Sequence, residues 1–243
     1  MEGQSKRTAL FVTCLVDQFY PKVGEASVRL LEQAGCDVEF PHEQTCCGQP
    51  AYNMGYHDDA RRLAQRFISI FEPYEVVVTP SGSCTSMVRV FYPDLFSEDP
   101  KWQAKARELG ERLFELTEFL SERSFDPRSK FEAKVTYHES CHLLRELGIS
   151  EPPRELLRKV EGLELVEMER SDLCCGFGGA FSVKMSELSE AMLGDKLRYA
   201  EATGADVITA TDCGCLMHLG GALSRRGSSL RAVHIAEILA GSP

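Results

Sequence analysis

The stretch QTCCGQP, residues 44–50, sets two cysteines side by side and follows them with glycine. LCCGFGG, residues 173–179, repeats the arrangement, with Cys174 and Cys175 lying 128 positions after Cys46 and Cys47. The surroundings repeat as well. The first copy runs ALFVTCLV, CCG, VVVTPSGSC and LTEFL, and the second runs KVTYHESCHL, CCG, DVITATDCGC and IAEIL. Cys14 matches Cys141 at an offset of 127, and Cys84 matches Cys215 at 131. Leu116 and Ile235 are only 119 apart, so the first copy carries extra chain. YPDLFSEDPKWQ, with two prolines and the only tryptophan, is expected to be that extra loop. Self-similarity of this kind makes duplication the organising feature, with modules over residues 1–125 and 126–243.

Each copy alternates strand and helix signals. TALFVTCL and KVTYHESC are β-rich runs that end in a cysteine. KVGEASVRLLEQAG reads as a helix closed by Gly35, in the manner of a glycine C-cap. CDVEFP and LELVEME alternate like strands. In DDARRLAQRFISIF the apolar residues Ala60, Leu63, Ala64, Phe67, Ile68 and Phe71 follow the helical period. EVVVTP and DVITAT are short β-branched runs of the type found in buried parallel strands. KARELGERLFE has Lys/Arg and Glu on one helical face and reads as solvated. The expected fold class is α/β: two tandem, pseudo-symmetric modules, each a small, mostly parallel sheet flanked by helices. In such sheets function gathers where strands end and helices begin. The cysteines sit there. Cys14 and Cys141 end the first strands, Cys84 and Cys215 follow the third, and the CCG pairs precede the second long helices.

Composition narrows the function. The formal charge of −10 argues against wrapping nucleic acid and against docking on anionic lipid, so membrane contact is expected to be peripheral at most. The longest apolar stretches are strand-length, and the N-terminus MEGQSKRTALFVTC lacks the apolar run of a signal peptide. The expected location is the cytoplasm. Ten cysteines in a reducing compartment point to metal binding or redox chemistry rather than structural disulfides. Cys36, in LLEQAGCDVEF, reads as a plain core residue.

Adjacent side chains on a strand point to opposite faces, so two neighbouring thiols share an ion only from a turn. Gly48 and Gly176 permit such a turn. Zinc usually takes cysteines two to four residues apart. A cluster of several irons fits adjacency better, because neighbouring thiolates can hold different irons. Cys14, Cys46, Cys47 and Cys84 form one candidate set, and Cys141, Cys174, Cys175, Cys213 and Cys215 the other. Cys213 and Cys215 flank Gly214, which would let both turn toward one site. Unligated redox thiols and a zinc-stabilised interaction module remain as alternatives.

The cysteine, CCG, cysteine pattern, present twice, resembles the cysteine-rich CCG domain found in heterodisulfide reductases and in glycolate oxidase iron–sulfur proteins. FVTCLVD, CCGQPAYN, TPSGSC, CCGFGGAFSVKM and DCGCLMH resemble the lactate utilization protein A family more specifically, across essentially the whole chain. The resemblance implies an iron–sulfur electron-transfer subunit, carrying one or two 4Fe-4S-type clusters, non-cubane ones included. It implies a complex that oxidises L-lactate to pyruvate with two other subunits, one a ferredoxin-type iron–sulfur protein. The heterodisulfide reductase pattern ends in CxxC with five cysteines per module. Here Ser81 precedes Cys84, leaving four in the first set, and Asp212 precedes Cys213 and Cys215 in the second. The heterodisulfide-reductase-like alternative, a thiol/disulfide enzyme, follows from the same resemblance.

Other residues near the motifs carry weaker signals. His138 and His142 bracket Cys141 and are candidates for a ligand, a proton donor or an ordinary turn hydrogen bond, and Glu139 for a base. His42 and His57 flank the first CCG pair. Ser81, Gly82 and Ser83 read as a turn that presents Cys84. CCGFGG mimics a dinucleotide glycine loop, but Phe181 occupies its third glycine position. No pocket for a hydroxy acid, with paired arginine and histidine, is legible.

Overall fold

The computed structural model describes residues 7–241. The first half builds a sheet from β1 (Arg7–Leu10), β2 (Asp37–Glu39), β3 (Val76–Thr79) and β4 (Leu113–Glu115), in the order β2-β1-β3-β4. The second builds the same sheet from β5 (Lys130–Tyr137), β6 (Glu161–Leu165), β7 (Val207–Ala210) and β8 (Arg231–His234), in the order β6-β5-β7-β8. Every strand pair is parallel. The α/β class and the duplicated parallel sheets expected from the repeat are what the chain adopts.

Strand alternation decides what each face touches. Val76 and Val78 of β3 turn to one apolar cluster and Val77 to another. In β7, Val207 and Ile208 divide in the same way. One of these clusters is common to both halves. Leu30, Leu31, Phe119 and Leu120 from the first half pack there with Leu156, Leu157, Ile235 and Leu239 from the second. The helix Pro21–Gln33 lies against Ile235–Leu239, and Leu116–Glu122 lies against Glu151–Arg158. Each such buried side chain contributes roughly 1.5–3 kcal/mol, so the shared layer ties the two sheets into one body. The outer faces are covered separately. His57–Phe71 buries Ala60, Ala64, Phe67, Ile68 and Phe71 on the first sheet, and Ser186–Ala202 covers the second. Gly35, at φ +80°, follows the end of its helix as expected, and Cys36 packs at the edge of the shared core.

Two expectations change. The stretch expected to be a loop is helical: Tyr92–Leu95 ends the run that starts at Gly82, matching Cys213–Arg226 of the second half, and the extra chain is the helix Pro100–Glu111. Pro100 stands in the first turn of its helix, where an absent N–H costs nothing, and Pro93 lies just past the π-helical turn Met87–Phe91. Asp99 caps the second helix by accepting from Trp102 N at 3.3 Å. The charged run KARELGERLFE also divides. Its end, Leu113–Glu115, is β4, paired with β3 and buried at Leu113 and Glu115. Glu115 tolerates burial because it caps the next helix, accepting from Thr117 N at 2.7 Å and from the Thr117 hydroxyl. Among the described residues, no helix is long and apolar enough to cross a membrane.

Candidate metal centres

Both cysteine sets assemble at the C-terminal ends of their sheets. In the first, Cys14 opens the helix Cys14–Phe19, whose cap is Thr13. Cys46 and Cys47 lie on the loop after β2. Cys84 sits in the short helix Gly82–Ser86, capped by Ser81, which accepts from Cys84 N at 3.2 Å. The Sγ atoms of Cys14 and Cys46 are 3.8 Å apart and those of Cys47 and Cys84 are 3.4 Å apart. In the second set, Cys141 and Cys174 are 3.9 Å apart, and Cys175 and Cys215 lie within 4.8 Å of one another.

The glycine after each pair makes the turn. Gly48 has φ +86° and Gly176 φ +85°, and the N–H of each donates to the first sulfur of its pair, Cys46 or Cys174, at 3.4 Å. These matching contacts make the two cages copies of one design. Cys47 and Cys175 are each 2% exposed, whereas Cys14 is open to solvent.

Cys213 does not join its set. It is 3% exposed and packs in the core shared by the two halves. It and Cys215 are two apart at the start of the helix Cys213–Arg226, a spacing that points side chains away from each other. The second cage therefore has four sulfurs, like the first.

Electrostatics shows what the cages require. Thiols of Cys14 and Cys47 hydrogen-bond Cys46 and pull its acidity range down, and the Gly48 N–H adds to this. Cys174 is lowered in the same way by Cys141, Cys175 and Gly176. The donors Cys14, Cys47, Cys141 and Cys175 are pushed up by those same bonds and by burial. Cys46 and Cys174 thus favour the thiolate, and ionising the thiols that donate to them as well needs a cation among them. A metal or cationic cluster core supplies that charge, and four converging sulfurs with an amide donor fit an iron–sulfur group.

The neighbouring residues differ between the halves. His138 follows β5 and is fully buried, and neither ring nitrogen has a hydrogen-bond partner among the described residues. An unpartnered buried polar group costs about 1–3 kcal/mol. Burial, helped by Lys196, holds this imidazole down at about 3, hence neutral. Lys196 is itself fully buried and donates to the carbonyls of Arg170 and Ser171 at 3.2 and 2.8 Å. Glu139 is occupied structurally. It accepts from Arg154 at 2.8 Å, Ser150 at 2.6 Å and Ser171 at 2.7 Å. Burial raises its carboxyl, but those bonds outweigh it and hold it down at about 2. His142 lies 3.7 Å from the Cys141 sulfur. His42 and His57 are exposed, and His42 borders a groove beside Cys14 and Cys46.

Sequence reasoning missed Lys196 and the role of Asp212. The Asp212 carboxylate reaches from the second half into the first, accepting from Ser81 Oγ at 2.8 Å, Ser83 Oγ at 2.7 Å and Ser83 N at 3.1 Å. The signal was present: Ser81 and Asp212 hold equivalent places three residues before Cys84 and Cys215. Beside this bridge a cavity of about 130 Å³ adjoins the second cage. Gln49, Asn53 and Ser83 of the first half wall it opposite Cys141, Cys174 and Cys215.

Comparisons with known proteins agree with this architecture. The cysteine-rich domain termed CCG matches residues 8–89 and 135–220, one match per cage. The chain is 51% identical to lactate utilization protein A of Bacillus velezensis, over 96% of this chain and 98% of that one. It is 49% identical to lactate utilization protein A of Halalkalibacterium halodurans, over 96% of each. It is also 49% identical to that of Bacillus subtilis, over 96% of this chain and 98% of the other. A hypothetical protein from Helicobacter pylori shares the fold, with a TM-score of 0.66 at 14% identity; the match spans 99% of this chain and 50% of that one. With both cysteine-rich domains in place and about half of all residues shared end to end, the chain belongs to the lactate utilization protein A family.

Proposed function

We propose that this chain is the iron–sulfur electron-transfer subunit of a cytoplasmic complex that oxidises L-lactate to pyruvate. The observation that carries the reading is the pair of matching four-sulfur cages, in a chain about half identical to lactate utilization proteins A. Cys14, Cys46, Cys47 and Cys84 would hold one cluster, and Cys141, Cys174, Cys175 and Cys215 the other. When bound, such a cluster accepts and releases single electrons.

The protein's own contribution is to fix the donors and tune them. Gly48 and Gly176 aim amide hydrogens at Cys46 and Cys174, and hydrogen bonds of this kind adjust a cluster's potential. Burial of Cys47 and Cys175 keeps water from one side of each site. The solvent-open Cys14 side suits exchange with a partner, for which a ferredoxin-type protein and one further subunit are the expected candidates. Among the described residues, no arginine or lysine lines the cavity beside the second cage, which favours a relay over direct binding of a carboxylate substrate.

Anaerobic purification or reconstitution, followed by iron and sulfide analysis, tests the proposal. Iron and sulfide in near-equal amounts support it, and a chain that takes up neither refutes it. A second reading has one observation behind it. Sulfurs 3.4–3.9 Å apart match two thiolates on a single tetrahedral ion with bonds of about 2.3 Å. Stoichiometric zinc in a colourless protein would select that reading.

A further inference from the structure

The two cages are copies, but the side chains behind them are not. In the first half Phe11 follows β1, and its N–H bonds Val78 O at 2.8 Å. His138 holds the same place after β5, with its N–H on Thr209 O at 2.8 Å. The Phe11 ring meets Phe67 edge-on, with centroids 4.7 Å apart. The equivalent of Phe67 is Lys196, and an independent contact fixes that register. A Cβ added to Gly48 would meet Ala60 and Leu63, whereas one on Gly176 would meet Ser189 and Met192, each 129 positions later. Lys196 is also 129 positions after Phe67. Where the first half has an apolar aromatic pair, the second has an imidazole and an ammonium, both fully buried.

Burying an imidazole with neither nitrogen partnered is unfavourable unless something faces it. The charged groups and the serine nearest in sequence or charge are engaged elsewhere. Lys196 bonds backbone carbonyls, Glu139 pairs with Arg154, and the Ser140 hydroxyl turns to Cys215. What does face the ring is sulfur. A ring nitrogen and the Sγ atoms of Cys175 and Cys215 lie within 4.8 Å of one another, a spacing that lets all three reach one centre. The imidazole's other nitrogen retains its hydrogen, and the lone pair of the first is the available donor.

We infer that His138 is a nitrogen ligand of the second centre, completing a donor set with Cys141, Cys174, Cys175 and Cys215, while the first centre is held by sulfur alone. The inference rests on the iron–sulfur reading above. Coordination consumes only the lone pair; no proton or electron is transferred in forming the bond. As a neutral donor the imidazole adds a fifth ligand without the negative charge that a fifth cysteine would bring. The two centres in one chain are then chemically distinct, and the second, with the Lys196 ammonium beside it, better tolerates an added electron.

The first measurement uses the chain without substitution, so that it does not depend on a variant folding. The chain is produced with 15N-histidine in an otherwise 14N background, reconstituted anaerobically with iron and sulfide, reduced, and examined by pulsed electron paramagnetic resonance. A nitrogen coupling of the size of direct ligation, changed by the histidine label, is expected in one of the cluster signals. It should vanish in His138→Phe, which installs the side chain of the first half, while that variant retains iron in its first centre. Bound iron with no histidine-sensitive coupling overturns the assignment. So does a coupling no larger than a hydrogen-bonded nitrogen gives, or one that survives in His138→Phe. A chain that binds no iron refutes the underlying iron–sulfur reading, and the ligand assignment with it.

Discussion

Replacing the glycine of each CCG motif by alanine offers a controlled comparison, because the backbone strain is the same and the surroundings are not. Gly48 and Gly176 have φ of +86° and +85°, where an L-residue costs about 1–2 kcal/mol. At Gly48 a new Cβ would meet Leu63 Cβ at 3.3 Å and Ala60 O at 3.6 Å, contacts that a small shift relieves. At Gly176 it would lie 2.7 Å from the backbone oxygen of Ser189 and 3.0 Å from Met192 Cβ. The Ser189 oxygen belongs to the helix Ser186–Ala202 and cannot yield without moving it. Overpacking of that kind adds roughly 1–3 kcal/mol. Gly48→Ala should therefore cost about 1–2 kcal/mol and Gly176→Ala about 2–5 kcal/mol. At roughly 2–4 °C per kcal/mol for a chain of this size, thermal unfolding followed by circular dichroism resolves the two. Equal shifts, or a larger shift for Gly48→Ala, would show that the turn geometry does not govern these sites.

Three other perturbations have defined outcomes. Burial raises the Glu115 carboxyl to about 8, against the hydrogen bonds from Thr117 and Glu118 that lower it. The folded chain keeps a proton that the unfolded chain loses near pH 4.3, so stability falls as pH rises from about 4.3 to 8. Urea titrations across that range should show Glu115→Gln gaining on the parent as pH increases; a constant difference would refute this. Arg154→Met strands the buried Glu139 carboxylate and should cost about 3–5 kcal/mol. The parent's own contribution from this pair should be lost as pH falls from about 4.3 toward 2, since the folded carboxyl is held down. Cys213→Ala should retain the parent's metal content and lose about 1–2 kcal/mol of stability from a small core cavity, whereas Cys175→Ser should lose metal from the second cage. Equal metal loss in both variants, measured by elemental analysis, would return Cys213 to the ligand set.

The cages were legible because their residue types are rare and their offsets repeat. Cys14, the CCG pairs, Cys84, Cys141 and Cys215 lie where parallel strands end, and topology alone brings those points together. The helix containing Phe67 was equally plain, since its apolar period is unbroken. What could not be read depends on direction or on distant partners. Cys213 looked like a ligand from its spacing to Cys215, but the helix that begins there turns it into the core. Glu115 looked solvated in a charged run, yet Thr117 N supplies the partner that permits burial. Asp212 finds its donors in residues about 130 positions away. Pro100–Glu111 was hidden behind a proline that starts a helix as readily as it breaks one.

The apolar layer between the sheets bears on how such a chain arose. A half-length ancestor would have left Leu30, Leu31 and Phe119, or their counterparts, bare to water, and exposed patches of that kind are covered by a second copy. Its stable form would have been a two-fold homodimer with two identical centres. In a single chain that constraint is absent: a substitution need not appear on both sides of the axis. Phe11 and Phe67 are aromatic while their counterparts are His138 and Lys196, so one scaffold holds two different surroundings in fixed relation.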